Sequence, residues 1–456
     1  MKRNPVLRMI LGAMFALLLV FSMAACAKTE PEAEPQTEPA TQATEAPAPE
    51  ATADPVTIRF MSVYPDRTSG IGQLEQTIID NYMAENPNIT IEVEALDDQA
   101  YKAKFRAYQA SNNLPDIFFV WGFPAQFMPI AKSGYAAELN PEDFADYGFF
   151  PGTFDAYTSD GKLYGLPQSI DITVLYYNKK IFADNNIAIP TSYQGLIDAS
   201  KALRAKGITP CAQNGKEKWC LSIIYDDLVL KRTGNQATMY DALTMKTDFA
   251  TNPDFLQAAY DFKQLIDAGF FQDSFTSADY GSARNLFGQG KAAMYYMGSW
   301  EGSLASDPNF SDEFKENLGV MAFPPIEGGN GSSSDILGWS SGFSVSANSP
   351  VKEEAIKFLK YWYLPENRTK MFWEMGLGLP AQNYDAFATG NETEIQKQLT
   401  QMLSGSTSIS ICAWNDYLTP SFKTDIEGIT QELAVGIKTP EQFVEAAAKL
   451  IAQNQN

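Results

Sequence analysis

Alternation opens the folded part of the chain. In "VTIRFMSV", Val56, Ile58 and Phe60 fall on every second position, the spacing of a strand with one face buried. The next stretch, "GIGQLEQTIIDNYMAENP", changes period. Ile71, Leu74, Ile78, Tyr82 and Met83 recur at helical spacing, and the run stops before Pro87. "ITIEVEA" alternates again through Ile89, Ile91 and Val93, and "DQAYKAKFRAYQASN" predicts a second helix. "DIFFVW" is a continuous apolar run, as carried by a parallel strand covered on both faces. The succession is βαβαβ, a unit whose crossovers are right-handed. Ligands of open parallel sheets gather beyond the carboxyl ends of the strands. Tyr64 and Asp66, in "YPDRTS" after the first strand, and Trp121, closing the third, are therefore expected on one rim.

A second series begins near "DITVLYYNKKIF". "IPTSYQGLIDASKALRAKG" predicts a helix capped by Thr191 or Ser192, striped by Leu196, Ala199 and Leu203, and stopped by Gly207. "TNPDFLQAAYDFKQLIDAG" repeats that style, and "SARNLFGQG" leads into the strand "KAAMYYM". "SSGFSVSANS" reads as a further strand, "VKEEAIKFLKYWYL" as a helix, and 383–455 as mostly helical. No internal repeat is visible. Roughly 400 residues from Val56 onward exceed what one core sustains, so two α/β lobes are expected.

The N-terminus carries a different message. "MKRNPVLR" is basic and Met9–Phe21 is apolar, too short for a spanning helix, which needs ~20 residues. That order is a secretory signal over 1–25. Met23-Ala24-Ala25-Cys26 resembles a bacterial lipobox, which makes Cys26 the acylated residue; cleavage after Ala27 is the alternative. Ala27 to Pro55 is Pro, Thr, Glu and Ala without large apolar residues, a composition that cannot offset ordering entropy. With Cys26 it forms a tether over 26–55, spanning roughly 30 Å as coil or about 90 Å if extended.

Without its signal the chain holds 31 basic residues against 55 acidic ones, near −24 in net charge. Such a field disfavours nucleic acid and anionic polymers and is neutral toward uncharged ligands. Histidine is absent. Cys211 and Cys220 close the loop "CAQNGKEKWC", a spacing that permits a disulfide in an exported protein, and Cys412 reads as a buried thiol. Three cysteines without histidine make a poor zinc site, and no cofactor is expected.

Several motif look-alikes fail on chemistry. "GWSSG" fits the nucleophile elbow, but its serine has no histidine to serve as base. "GQGK" lacks the rest of a phosphate loop, and "SGIGQLE" lacks the third glycine of a dinucleotide loop. Asp171 and Glu301 are the carboxylates available for a glycosidase, which needs the pair ~5–9.5 Å apart. The positive signal is aromatic. Trp121, Trp219, Trp300, Trp339 and Trp414 each stand at an element edge beside glycine, an amide or a charged residue, where core tryptophans seldom sit. Flat rings flanked by carboxylates and amides suit a sugar. Trp362 and Trp373 read as helix packing.

In its order of segments the chain resembles the family 1 extracellular solute-binding proteins, the maltose-type group that delivers sugars to ABC transporters. The resemblance is carried by "LPDIFFVWGF", "YGLPQSIDITVLYYNKKIF", "PTSYQGLIDASKAL", "LFGQGKAAMYYMGSW" and "SVSANSPVKEEAIKFLKYW". It implies a type II periplasmic-binding-protein-like fold, two α/β lobes joined by a multi-segment hinge over a ligand cleft. The implied lobes are 56–170 plus 342–377 and 171–341 plus 378–456. Crossings fall near Ser169–Ile172, Trp339–Gly342 and Gly376–Pro380, which puts Asp171 and Trp339 at the cleft floor. It implies ligand contacts from Trp121, Asp171 and Trp300, with Trp219 and Trp414 in the region of the far-lobe stacking aromatics. "YPDRTS" departs from the maltose-specific loop, so maltose is not implied. Glu301, adjacent to Trp300, is expected to turn away and cap the following turn, since neighbouring residues seldom face one ligand. The implied protein is a monomeric, non-catalytic carbohydrate receptor, partnered by ABC permease subunits and lipid-anchored outside the cell. A peptide, polyol or lipid receptor is the alternative, a surface glycosidase a more distant one.

Overall fold

The computed structural model describes residues 54–406, 408–411 and 413–455. The signal segment, Cys26, all but the end of the tether, and Cys412 lie outside them. The first three strands are β1 (Val56–Ser62), β2 (Ile89–Ala95) and β3 (Ile117–Trp121), with β1 parallel to both neighbours. Helices Gly70–Glu85 and Asp98–Ala110 connect them, as the changes of period predict. A small ribbon, β4 (Thr158–Ser159) with β5 (Lys162–Leu163), precedes the long strand β6 (Leu166–Asn178). Then come β7 (Thr209–Ala212), β8 (Ala292–Gly298), β9 (Leu318–Met321), β10 (Asp335–Val345) and β11 (Ser408–Ile411).

The main sheet runs β2-β1-β3-β10-β6-β8-β7, with β11 also on β10 and β9 on β6. Two long strands hold it together. The end of β10 pairs with β3 and its start with β11, while the second half of β6 lies between β8 and β9. Between those regions β6 and β10 pair antiparallel, from Gly338 opposite Ile172 to Phe343 opposite Leu166. The segment after the helix Thr369–Glu374 adds to this seam: Ile170 N donates to Leu379 O at 2.9 Å, and Ala381 N to Gln168 O at 3.4 Å. The register slips between Ser341 and Gly342. A Cβ on Gly342 would lie 1.9 Å from the Leu166 carbonyl oxygen, so only glycine lets the strands close there.

Separate cores flank the seam. One gathers Phe60, Phe118, Phe343, Phe358 and Trp362 around β1–β3; others gather Leu228, Phe262 and Phe443, and Val174, Tyr295 and Leu399. Helix Tyr193–Ala205 starts at Ser192, whose hydroxyl accepts from Gly195 N, and stops at Gly207 with φ 73°. The helix Trp219–Thr233 has no counterpart in the sequence reading. Every residue from Cys220 to Lys231 is buried, so it carries no amphipathic stripe. No described helix is long and apolar enough to cross a membrane.

The disulfide allowed by the Cys211–Cys220 spacing is not formed: both cysteines are free and buried. Cys211 lies inside β7, while Cys220 opens a helix and donates its thiol to Asn214 O at 2.8 Å. Burial pushes both thiols up in pKa, which keeps them protonated and unreactive.

Candidate functional site

Register decides which side chains meet. Residues opposite one another across a ladder share a face, as do residues two apart along a strand. Trp339 pairs with Asp171, Ser341 with Ser169, and Ser341 with Trp121. Trp121, Ser341, Ser169, Asp171 and Trp339 therefore project from one side of the seam. Tyr64 joins them from the loop after β1, edge-on to Phe119 at 5.9 Å.

Asp171 is the charged member of this group and is only 4% exposed. Burial raises its carboxyl to about pH 6, against the hydroxyls of Ser169 and Ser341 and the more distant Arg368, all of which favour the ionised form. Burial and the Asp171 carboxylate together push the Tyr64 phenol well up. Arg368 is fully buried and donates to Gln168 Oε1 at 2.9 Å. Ser299 secures the far side of the strand: its hydroxyl accepts from Ile172 N at 3.1 Å and donates to Ile170 O at 3.4 Å.

That serine delivers Trp300. β8 ends at Gly298, and the Trp300 ring folds back over it so closely that a Cβ there would sit 1.8 Å from a ring carbon. The glycine explains the abrupt "GSW" ending of the apolar run. Trp300 lies 5.2 Å from Trp339 and 6.5 Å from Trp219, and Trp339 lies 5.2 Å from Phe123. Trp219, Trp300 and Trp339 are each half-buried. They form a contiguous aromatic wall beside Asp171. Phe123, two residues past the end of β3 and 4% exposed, packs against Trp339 as a core residue and had no mark in the sequence.

Other expected residues sit differently. Trp414 is not on the wall. It is fully buried, stacked on Phe249 at 5.1 Å and packed against Tyr225 at 5.0 Å. Its polar neighbours face inward too: the backbone N–H groups of Ala413 and Trp414 donate to Asp226, and Asn415 donates to Glu427. An element-edge tryptophan thus became a core residue because the turn around it folds over a buried polar network. Asp66 is exposed, and its oxygens accept from Thr68 N, Thr68 Oγ1 and Ser69 Oγ at 2.8, 2.7 and 2.6 Å. Those bonds hold its pKa below the usual range, and the carboxylate organises its own loop. Trp121 is on the expected rim, with the Lys102 ammonium 4.5 Å from its ring centroid and Lys102 itself paired with Asp98.

Glu301 turns away from the wall, as expected, but for an ion pair instead of a cap. It is 3% exposed, accepts from Arg284 Nε at 2.8 Å, and takes the Tyr280 hydroxyl on its other oxygen. Both Glu301 oxygens are thus engaged, one by Tyr280 and the other by Arg284. Among the described residues no cluster of metal-ligating side chains occurs. The groove of about 440 Å³ beside Lys201, Lys263 and Pro440 lies on the helical surface, away from the wall.

Residues 65–369 match the bacterial extracellular solute-binding protein family. The chain belongs to that family. It is 25% identical over 322 residues to the Multiple sugar-binding protein of Streptococcus mutans serotype c, covering 69% of this chain and 72% of that one. Among solved structures, one from work on xylan utilization by the thermophilic bacterium Caldanaerobius polysaccharolyticus superposes with TM-score 0.79 at 32% identity, covering 86% of this chain and 99% of the other. A chitin oligosaccharide binding protein superposes with TM-score 0.78 at 27% identity, covering 88% and 100%. The fold is the type II periplasmic-binding-protein arrangement expected from the segment order.

Proposed function

We propose that this solute-binding protein captures a carbohydrate of oligosaccharide size in a cleft between two lobes and passes it to an ABC permease. The observation that carries the reading is the wall of Trp219, Trp300 and Trp339 standing beside the buried carboxylate of Asp171. Indole faces match the C–H faces of sugar rings, and a carboxylate accepts hydroxyl hydrogen bonds. The sugar ligands of its relatives support the same class. An aliphatic lipid has no use for the carboxylate, and Glu301 is engaged elsewhere, so neither the lipid nor the glycosidase reading is favoured.

The lobes are 56–170 plus 342–377 and 171–341 plus 378–456, hinged where β6, β10 and the Leu379 segment lie side by side. A shift from 1:99 to 99:1 in favour of the closed form requires about 5.5 kcal/mol of differential binding. Stacking on the Trp219, Trp300 and Trp339 wall of the second lobe and on Trp121 of the first, plus two charge-assisted hydrogen bonds of ~1.5–3 kcal/mol each, supplies it. The protein acts as a monomer at the extracellular face of the cytoplasmic membrane, held through an acylated Cys26, since two acyl chains give stable anchoring.

Calorimetry against a panel of neutral oligosaccharides, with the solutions analysed afterwards for products, tests the reading. It stands on a saturable heat that Trp300→Ala abolishes, with every oligosaccharide intact. Silence across the panel, or cleavage of a bound sugar, overturns it. Fatty-acid labelling that survives Cys26→Ala would remove the anchor.

A further inference from the structure

Trp219 opens a helix and Trp300 lies in the turn after β8, far apart in the chain, yet both indoles are tied to one residue. Tyr280 opens the helix Tyr280–Gly288. Its backbone N–H donates to Glu217 Oε1 at 3.0 Å, two residues before Trp219. Its hydroxyl accepts the Trp300 Nε1–H at 3.0 Å. That hydroxyl can accept from the indole only if its own proton points elsewhere, and Glu301 takes it. Arg284, one turn along the same helix, clamps Glu301 through Nε at 2.8 Å and Asp307 through Nη1 at 2.7 Å. The chain of donors therefore has one direction, indole to phenol to carboxylate, with the guanidinium closing it.

The Glu217 side carries its own sign of constraint. Lys218, between Glu217 and Trp219, has φ 66° and ψ −38°, a region that side-chain-bearing residues avoid. Such a conformation persists only where the surroundings impose it, and it gathers at functional sites. Here Glu217 also accepts from Asn214 Nδ2 at 3.2 Å, and the Trp219 N–H donates to the Glu217 carbonyl at 2.8 Å. Beneath both indoles Thr173, Ile223, Tyr296 and Met297 leave a void of only about 10 Å³. The rings thus rest on a packed floor and are steered from the rim.

We propose that Tyr280 is a positioning residue for ligand. Its amide sets the Trp219 loop and its hydroxyl sets the Trp300 ring, which fixes the separation and tilt of the two indoles before any ligand arrives. The consequence for affinity rests on the carbohydrate reading above; the positioning itself does not.

The test is fluorine NMR of the full chain labelled with fluorotryptophan, without ligand, on Tyr280→Phe, Glu217→Ala and the double variant. Tyr280→Phe keeps the amide and the ring and removes only the hydroxyl. The Trp300 resonance should then shift and gain solvent exposure, with Trp219 unmoved. Glu217→Ala should do the reverse, and the double variant should move both, each with Trp362 and Trp414 unchanged as markers of an intact fold. Affinity for an oligosaccharide bound by the wild type should fall roughly fivefold to tenfold in either single variant, the effect of one lost hydrogen bond. Unmoved Trp300 and Trp219 resonances in the two variants would overturn the proposal, as would identical shifts of all tryptophans. Separate Trp219 and Trp300 shifts with no sugar bound even by the wild type would uphold the positioning and remove the carbohydrate reading.

Discussion

Asp171 gives the account its sharpest handle, because its two protonation states differ in usefulness to a sugar. Burial lifts its carboxyl from 3.8 to about 6 while the Ser169 and Ser341 hydroxyls and Arg368 pull the other way. Sugar hydroxyls donate to a carboxylate, so binding selects the ionised form. With a pKa of about 6 the group is roughly nine-tenths ionised at pH 7 and one-tenth at pH 5, which weakens binding by about tenfold. Above pH 7 affinity levels off. Stability runs the other way. A carboxyl whose pKa rises on folding binds its proton more tightly in the native state, so its contribution is fully present below the unfolded pKa. It is lost as pH climbs from about 4 through about 6, and the shift corresponds to about 3 kcal/mol. Affinity should therefore rise across the window in which stability falls. The chain has no histidine, so no imidazole titrates there. Calorimetry with one neutral oligosaccharide from pH 5 to 8, beside thermal melts of the free protein, measures both. Asp171→Asn should flatten the affinity profile and lower affinity at pH 7 by about 10–150-fold through the lost charge-assisted bond. It should also remove Asp171's share of the stability loss, leaving that of Glu75 and Asp227, whose carboxyls burial also raises. A wild-type affinity that stays level from pH 5 to 8 would refute the reasoning.

Gly298→Ala places a methyl inside the Trp300 ring position, 1.8 Å from a ring carbon. Affinity should fall about as far as in Trp300→Ala, with a changed tryptophan emission spectrum; normal affinity would mean the ring is not where binding occurs. Trp414→Ala should lower stability by about 3–5 kcal/mol in denaturant titrations, the range for an aromatic removed from a core. Trp300→Ala, from a half-buried ring, should lower it far less while abolishing binding. Reductant should leave the melting temperature unchanged, and thiol reagents should label Cys211 and Cys220 only after unfolding; labelling in the native state would contradict their burial.

The fold was legible where periodicity was clean. β1, β2 and the two helices follow the alternating and helical spacings, because each is covered mainly on one face, while β3 shows as a continuous apolar run because both its faces are buried. The helix Trp219–Thr233 was not legible, because it is buried all round. β10 begins at Asp335, earlier than its apolar stretch, because "DILGWSSG" crosses the seam, where small polar residues replace the usual alternation. Of the candidate site, register brings Asp171 and Trp339 together and the turn after β8 adds Trp300; it was the family resemblance, not the strand assignments, that pointed to all three. Trp414 and Asp66 show the limit of reading chemistry from neighbours in the chain. A polar residue beside a tryptophan indicates an edge only if it faces solvent, and Asn415 and Asp416 face inward. Tyr280 and Glu217 left no signal at all, since their roles arise from side chains meeting across distant loops.

The most direct test of the central claim is a crystal structure of the protein with a bound neutral oligosaccharide. A sugar ring should lie against Trp300 and a second against Trp219 or Trp339, with a ligand hydroxyl donating to Asp171. A ligand seated away from these indoles, or one whose hydroxyls leave Asp171 untouched, would contradict it.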